Sequence, residues 1–349
     1  MKRFPFLDWM RGLAVVIMIQ CHVFNGFARM DTREGGPYIL SQFIGGMAAP
    51  LFLFMAGMTS AFQMESLARR EASPWRRWAI TLRRAAYIMG IALLFRFTNW
   101  LGSYPGGNTQ ELTKVDILNC MAVGLAVFAA AAAFGTEGRW RFAVLGAAAV
   151  AMLSPVMANL PWDGAPALLR EYLVPGAGRG RFAFFPCASY VGFGMAAGLA
   201  VKRTAEDRMD RLMQWTVLIA FALIFTSQYF SNLPYSIYAD SSFWTNSPTL
   251  IFIRTGIILA FLAASYLWTE YGARPRWSWM QTMGKTSLMV YWIHVMIVYG
   301  GWTRPLRRNL TIPQTAFATI VLTAMMLALS DAKLRWVARR AARMKPAQA

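Results

Sequence analysis

Apolar segments of about twenty residues recur along the whole chain, and this limits the fold more than any other feature. A helix of about 20 apolar residues crosses the hydrocarbon core of a bilayer. We predict ten such helices, near residues 9–28, 41–64, 85–101, 115–134, 139–158, 183–201, 212–231, 248–269, 282–300 and 312–333. Only 15% of the residues are charged, against about a quarter in soluble domains. The expected fold is an all-α polytopic membrane protein, forming a single domain over residues 1–349.

The positive charges indicate an orientation for these helices. If the N-terminus is cytoplasmic, the segments on that side carry 22 Lys and Arg, and the outer loops carry 9. An excess of Lys and Arg is typical of cytoplasmic loops in membrane proteins. We therefore expect both the N-terminus and the C-terminus on the cytoplasmic side.

The net charge of +19 raises the question of a nucleic-acid partner. We exclude that class, because the basic residues fall in predicted cytoplasmic loops. There, orientation and the anionic head groups of membrane lipids already account for them. Membrane lipids are the expected partners, and homo-oligomerisation is left open.

The chain has only two histidines, and both lie inside predicted membrane helices. His22 follows Arg11 by eleven residues, about 16 Å along a helix, and His294 follows Lys285 by nine, about 14 Å. Both helices run outward in the predicted topology, so the two imidazoles are expected at comparable depth. Ionisable groups are costly in a bilayer and are functional candidates by default.

Two interpretations of the histidines stay open. One is interhelical hydrogen bonding, which polar residues in membrane helices commonly provide. The other is general-base chemistry, for which imidazole is well suited at neutral pH. A metal site is not expected, because no intramembrane carboxylate or thiolate cluster accompanies the two rings.

Further polar residues are predicted in the outer half of the membrane. They are Asn25, one turn beyond His22, together with Arg96, Asp116 and Arg254. An arginine paired with Asp116 is either a structural ion pair or part of the opening for a polar acceptor. We keep these four as candidate substrate-binding residues.

A second set of charged and polar residues lies at the predicted cytoplasmic ends of three helices. Asp8 and Arg11 share one face of the first helix. Arg83 and Arg84 precede the third, and Lys285 and Ser287 begin the ninth. These basic residues either anchor the helices or bind a phosphate-rich cytoplasmic ligand such as coenzyme A.

Several segments resemble one known superfamily. "LDWMRGLAVVIMIQCHVF" is similar to the first helix of membrane-bound acyltransferases, and Arg11 and His22 match the Arg-x10-His motif of the acyltransferase-3 family. "GGMAAPLFLFMAGMTSAF", "LRRAAYIMGIALLF", "VDILNCMAVGL", "RFAFFPCASYVGFGMAAG" and "MGKTSLMVYWIHVMIVYG" resemble later segments, in the family's order. Glucan succinyltransferases and heparan-alpha-glucosaminide N-acetyltransferase-like proteins belong to the same superfamily.

The resemblance implies transfer of an acyl group, usually acetyl, from cytoplasmic acetyl-CoA to a hydroxyl or amino group of a carbohydrate-type acceptor outside. His22 is then the essential imidazole, as general base or acyl carrier, and Arg11 its motif partner. His294 is a second catalytic candidate. Arg83, Arg84, Lys285 and Ser287 are the candidate donor-binding residues. The expected location is a bacterial inner membrane.

The sequence departs from the superfamily at two points. In the heparan branch an asparagine replaces His22 and the key histidine lies in the following loop, but residues 29–40 contain no histidine. The Arg-x-x-Arg pattern of acyltransferase-3 proteins is also missing, because Arg83 and Arg84 are adjacent.

Two alternatives come from other functional classes. A transporter or flippase for a polar solute would use the histidines as a proton relay. A scaffold protein that has lost catalysis would use them only for packing.

Overall fold

Helices form the regular structure in the computed structural model, which describes residues 4–102, 109, 112–175, 182–272 and 278–343. Across these ranges no strand is present, and only Ala28 and Leu310 form an isolated bridge. The α-helices are α1 Pro5–Phe27, α2 Gly36–Gly45, α3 Ala48–Ala68, α4 Pro74–Gly102, α5 Ile117–Phe128, α6 Thr136–Ala158, α7 Ala167–Leu173, α8 Phe184–Arg203, α9 Met209–Ser231, α10 Pro248–Tyr271, α11 Trp279–Lys285, α12 Ser287–Tyr299 and α13 Ile312–Arg343.

Eight helical segments among the described residues are long and apolar enough to span a membrane, and this confirms the polytopic all-α fold class. The other two predicted spans, 115–134 and 282–300, contain the shorter apolar helices Ile117–Ala133 and Ser287–Tyr299. The orientation of the termini stays a prediction.

The predicted span 282–300 differs from a continuous helix. It is divided into α11 and α12 at Thr286, whose φ of −115° and ψ of 14° are not helical. The Thr286 hydroxyl bonds Ser330 Oγ on α13 at 2.7 Å. Threonine and serine side chains offer backbone groups competing partners, so the Thr286-Ser287 pair favours a break here.

The chain divides into two compact units. Unit I comprises Pro50–Ala264, and unit II comprises Lys2–Ala49 with Ser265–Ala349. The single-domain assignment stays a prediction.

In unit II, α1 and α11 pack with their backbones almost in contact. A Cβ added at Gly12 would lie 2.0 Å from the Met280 carbonyl oxygen, and one at Gly284 would lie 1.8 Å from the Asp8 carbonyl oxygen. Small residues permit this close approach, as is common between membrane helices. The two glycines therefore fix the distance between the helices.

The C-terminal end of α1 is held by backbone bonds to the segment before α13. Arg308 N–H donates to the Gly26 carbonyl at 3.0 Å, Leu310 N–H to the Phe27 carbonyl at 2.9 Å, and Arg29 N–H to the Leu310 carbonyl at 2.9 Å. The bonds to Gly26 and Phe27 satisfy carbonyls that a helix end leaves unpaired.

In unit I, glycine contacts join α3 to α8. A Cβ at Gly57 would meet the Val191 carbonyl oxygen at 2.0 Å, and one at Gly194 would meet the Phe54 carbonyl oxygen at 1.9 Å. Near the C-terminal end of α3, Glu65 accepts a hydrogen bond from Arg139 of α6 at 3.0 Å, with both side chains buried. Removing only one partner of a buried ion pair destabilises a protein strongly, because the other charge stays buried and unpaired.

We expect Gly12→Ala to destabilise the protein by about 1–3 kcal/mol, because the added methyl overlaps the Met280 backbone, which has no flexible end to move aside. The matched control is Gly36→Ala, where an added Cβ meets nothing within 4 Å. Thermal unfolding in detergent measures both variants. Equal melting temperatures for them would contradict the close packing.

Candidate functional site

The two histidines of the sequence meet in unit II. His22 on α1 and His294 on α12 lie with Nδ1 and Nε2, respectively, 2.8 Å apart. Their ring planes differ by 10° and their centroids are 5.0 Å apart. A separation of 2.8 Å between ring nitrogens is a hydrogen-bond distance. The two rings, for which the sequence predicted a comparable depth, are therefore in direct contact.

The second ring nitrogen of His294 is also bonded. Its Nδ1 lies 2.6 Å from the Val290 carbonyl oxygen, one turn earlier on α12. His294 is fully buried, whereas His22 is partly exposed. Among the described residues, the hydrogen bonds of the pair engage both nitrogens of His294 and only Nδ1 of His22.

Close packing of α1 on α12 brings the rings together. A Cβ at Gly26, four residues after His22, would lie 2.8 Å from Val298 Cγ1, and Val298 is itself four residues after His294. The Tyr299 ring also packs against His22 in a T-shaped arrangement, with centroids 5.8 Å apart and planes at 68°. The sequence interpretation missed Tyr299, whose position at the end of an apolar helix is equally typical of a membrane interface.

Asn25 lies one turn beyond His22 and is held by residues that sequence reasoning also missed. Tyr38 hydroxyl donates to Asn25 Oδ1 at 3.1 Å. The Arg33 guanidinium donates to the backbone carbonyls of Asn25 at 2.8 Å and Ala28 at 3.2 Å. An arginine in this position completes the C-terminal end of a helix. The Asn25 side chain is thus held by Tyr38, one helical turn from His22.

Arg11 lies toward the N-terminal end of the same helix, about 16 Å from His22 by helical rise. Its Nη1 is 3.3 Å from Asp8 Oδ1. The Asp8 side chain is 3% exposed and that of Arg11 is 28% exposed. The two residues thus share one face of α1, as their spacing predicted, and the two ends of α1 carry different polar groups.

Asp116 and Arg96 form an ion pair within unit I, with 3.1 Å between Oδ2 and Nη2. Asp116 also caps α5, because its Oδ1 accepts the N–H groups of Leu118 at 2.9 Å and Asn119 at 3.2 Å. The Asn119 amide in turn donates to the Tyr172 hydroxyl at 3.0 Å, and partial burial raises the pKa of Tyr172 above its ordinary value. These contacts give the structural interpretation of Asp116 a direct basis.

Arg254 also belongs to unit I, on α10. It interacts electrostatically with Tyr190 and Cys187 of α8. Tyr190 is 2% exposed, so this interaction is in the interior. The role of Arg254 in substrate binding stays a prediction.

The four predicted donor-binding residues are divided between the units. In unit I, Arg83 is exposed and Arg84 donates to the Thr59 hydroxyl at 2.7 Å. In unit II, Lys285 is exposed at the end of α11, and Ser287 begins α12. The exposed cations are accessible to a phosphate, but their role stays a prediction.

Within the described ranges, no group of three or more His, Cys, Asp or Glu gathers as a metal site. The histidine pair offers two nitrogen donors, and structural or catalytic zinc sites use three or four protein ligands.

A comparison with protein families finds one match, the acyltransferase domain Acyl_transf_3, over residues 4–332. No curated protein matches the chain.

We expect Asp116→Asn to cost about 3 kcal/mol, because it leaves the Arg96 guanidinium, 13% exposed, without its counter-charge. Asp116→Ala also removes the helix cap and should cost about 1 kcal/mol more. Asp163→Asn, at an exposed aspartate of the same unit, is the control. Chemical or thermal unfolding orders the three variants, and an Asp116→Asn protein as stable as the control would count against a structural ion pair.

Proposed function

Because the chain belongs to the acyltransferase-3 family and is thus a membrane acyltransferase, we propose that it transfers an acyl group by means of His22. The proposed donor is acyl-CoA, most simply acetyl-CoA, on the cytoplasmic side. The proposed acceptor is a hydroxyl or amino group of a carbohydrate on the outer side. The bacterial inner membrane is the proposed location, with membrane lipids as neighbours.

The observation that carries this proposal is the state of His22. One ring nitrogen is held by His294 at 2.8 Å, the ring is partly exposed, and the other nitrogen is not engaged by any described residue. A base positioned by a neighbour and open on one side is the arrangement that acyl transfer requires.

The reaction is then an ordinary acyl substitution. The acceptor hydroxyl or amine attacks the thioester carbon while His22 takes its proton. A C–O or C–N bond forms, the C–S bond breaks, and the leaving thiolate of coenzyme A receives the proton from the imidazolium. In the second version of the proposal, His22 itself attacks the thioester and carries the acyl group to the acceptor. Both versions need the same nitrogen.

Exposed cations support a donor on the predicted cytoplasmic side. Arg83 and Lys285 are exposed, and coenzyme A carries three phosphoryl groups that such cations bind. Arg11, at the same predicted side of α1, would stand between the phosphates and the histidine pair along the helix. The Asp8 carboxylate holds Arg11 in place at 3.3 Å.

The transporter alternative loses support from the family match, although the break between α11 and α12 is a feature that transporters also use. Solute-dependent proton flux without coenzyme binding would favour it. If the protein is a scaffold, both acyl transfer and solute-dependent proton flux would be absent.

We expect His22→Ala to lower acyl transfer by at least about 10²–10⁴-fold, the usual contribution of a positioned base. Purified protein in proteoliposomes receives acetyl-CoA and a panel of amino and hydroxyl sugars, and release of the coenzyme thiol is measured. Gln20→Ala, which removes another polar group of α1 bonded to the Ser41 carbonyl, is the control. Normal turnover by His22→Ala, with the Gln20→Ala protein equally active, would remove His22 from the mechanism.

We expect Arg83→Ala and Lys285→Ala each to raise KM for acetyl-CoA about tenfold, since a charged hydrogen bond is worth about 1.5 kcal/mol or more. With acetyl-pantetheine, which lacks the nucleotide phosphates, the same variants should match the wild type. Arg335→Ala, at an exposed arginine paired with Asp331 at 2.7 Å, is the control. An equal KM increase with both donors would show that these cations do not bind the nucleotide phosphates of the donor.

A further inference from the structure

The hydrogen-bond chain through the two histidines has a direction. A backbone carbonyl oxygen only accepts hydrogen bonds, so the His294 nitrogen 2.6 Å from the Val290 carbonyl, Nδ1, carries a proton. In a neutral imidazole the other nitrogen, Nε2, is then an acceptor. That acceptor faces His22 Nδ1 at 2.8 Å, which must therefore be the donor.

We propose that His294 is a positioning residue that fixes His22 in the Nδ1–H tautomer, so that His22 Nε2 holds the free electron pair used in acyl transfer. The catalytic consequence of this inference rests on the proposed function, whereas the tautomer of His22 does not. Orienting partners commonly determine which nitrogen of a histidine is protonated.

The reversed arrangement requires a buried charge. If His294 Nε2 donated to His22 Nδ1 while Nδ1 still bonded the Val290 carbonyl, His294 would be a cation. That ring has 0% exposure, and no carboxylate lies among the contacts of either histidine in the described structure. An unpaired charge in an apolar interior is strongly unfavourable. Neutral His294 is the form that the surroundings permit.

The positioning has a chemical consequence during turnover. When His22 Nε2 accepts the proton of the attacking group, the ring becomes a cation with Nδ1–H still donating to His294. A hydrogen bond from a charged donor is stronger than one from a neutral donor. His294 thus orients the base beforehand and stabilises its protonated form, as an acceptor does behind the histidine of a hydrolase triad.

The wild-type protein itself allows a direct test. Because the sequence contains only two histidines, incorporation of histidine ¹⁵N-labelled in its imidazole ring labels four ring nitrogens and no others. We expect the ¹⁵N spectrum near neutral pH to show protonated Nδ1 and unprotonated Nε2 for both rings, with a coupling across the bond between them. A His22 signal with protonated Nε2 and unprotonated Nδ1 would overturn the proposal.

Two substitutions test the role of His294. His294→Gln retains a carbonyl oxygen that can accept from His22 Nδ1–H, whereas His294→Phe retains only a ring of similar size. We expect His294→Phe to release His22 to the Nε2–H tautomer and to lower kcat about 10²-fold or more, with KM for acetyl-CoA unchanged. His294→Gln should keep the Nδ1–H signal and recover at least tenfold in kcat. Met289→Leu on α12 is the control.

The spectra and the rates separate the failures. If His294→Phe keeps both the His22 tautomer and kcat, the positioning role is wrong. If both variants lose kcat equally while each still gives the Nδ1–H signal, His294 acts only in packing, and the proposal is again overturned. The wild-type spectrum needs no substrate, so it decides the tautomer even where the acyl-transfer proposal itself fails.

Discussion

A ring nitrogen enclosed by apolar helices must find its hydrogen-bond partner within the protein, because hydrocarbon supplies none. His294 is fully buried and satisfies this requirement with the Val290 carbonyl on its own helix and with His22 on α1. The bond that satisfies His294 also occupies Nδ1 of His22. It leaves Nε2 of His22 without a hydrogen bond among the described residues. The packing of unit II and the chemistry proposed for it thus depend on one interhelical contact.

Small residues make that contact geometrically accessible. Gly12 and Gly284 bring α1 onto α11, and Gly26 allows Val298 of α12 to approach α1 beside the two rings. A hydrogen bond between ring nitrogens tolerates only a few tenths of an ångström, so the backbones must be held closely. Arg33 at the end of α1, and Arg307, which donates to the Gly300 carbonyl after α12 at 2.9 Å, secure the same ends of both helices.

Much of the fold and part of the site could be predicted from the sequence. The segments 9–28 and 248–269 are apolar for long enough to require helices, and the structure has α1 and α10 there. The spacing of Asp8 and Arg11 predicted that they share one helix face, and the structure adds their 3.3 Å contact. The break at Thr286 was not predicted. The Thr286 hydroxyl at this break donates a hydrogen bond to Ser330 of α13, which lies 44 residues away in sequence.

The sequence by itself determined that these segments are helices, because backbone groups in a bilayer must bond within their own segment and this needs no distant partner. It also predicted that both imidazoles belong to membrane segments. Only the tertiary structure decided that residues 272 positions apart share a hydrogen bond, and that the Val290 carbonyl gives this bond its direction. No pattern in the chain encodes that outcome, since it arises from how closely two helices pack and from a backbone group that every residue possesses.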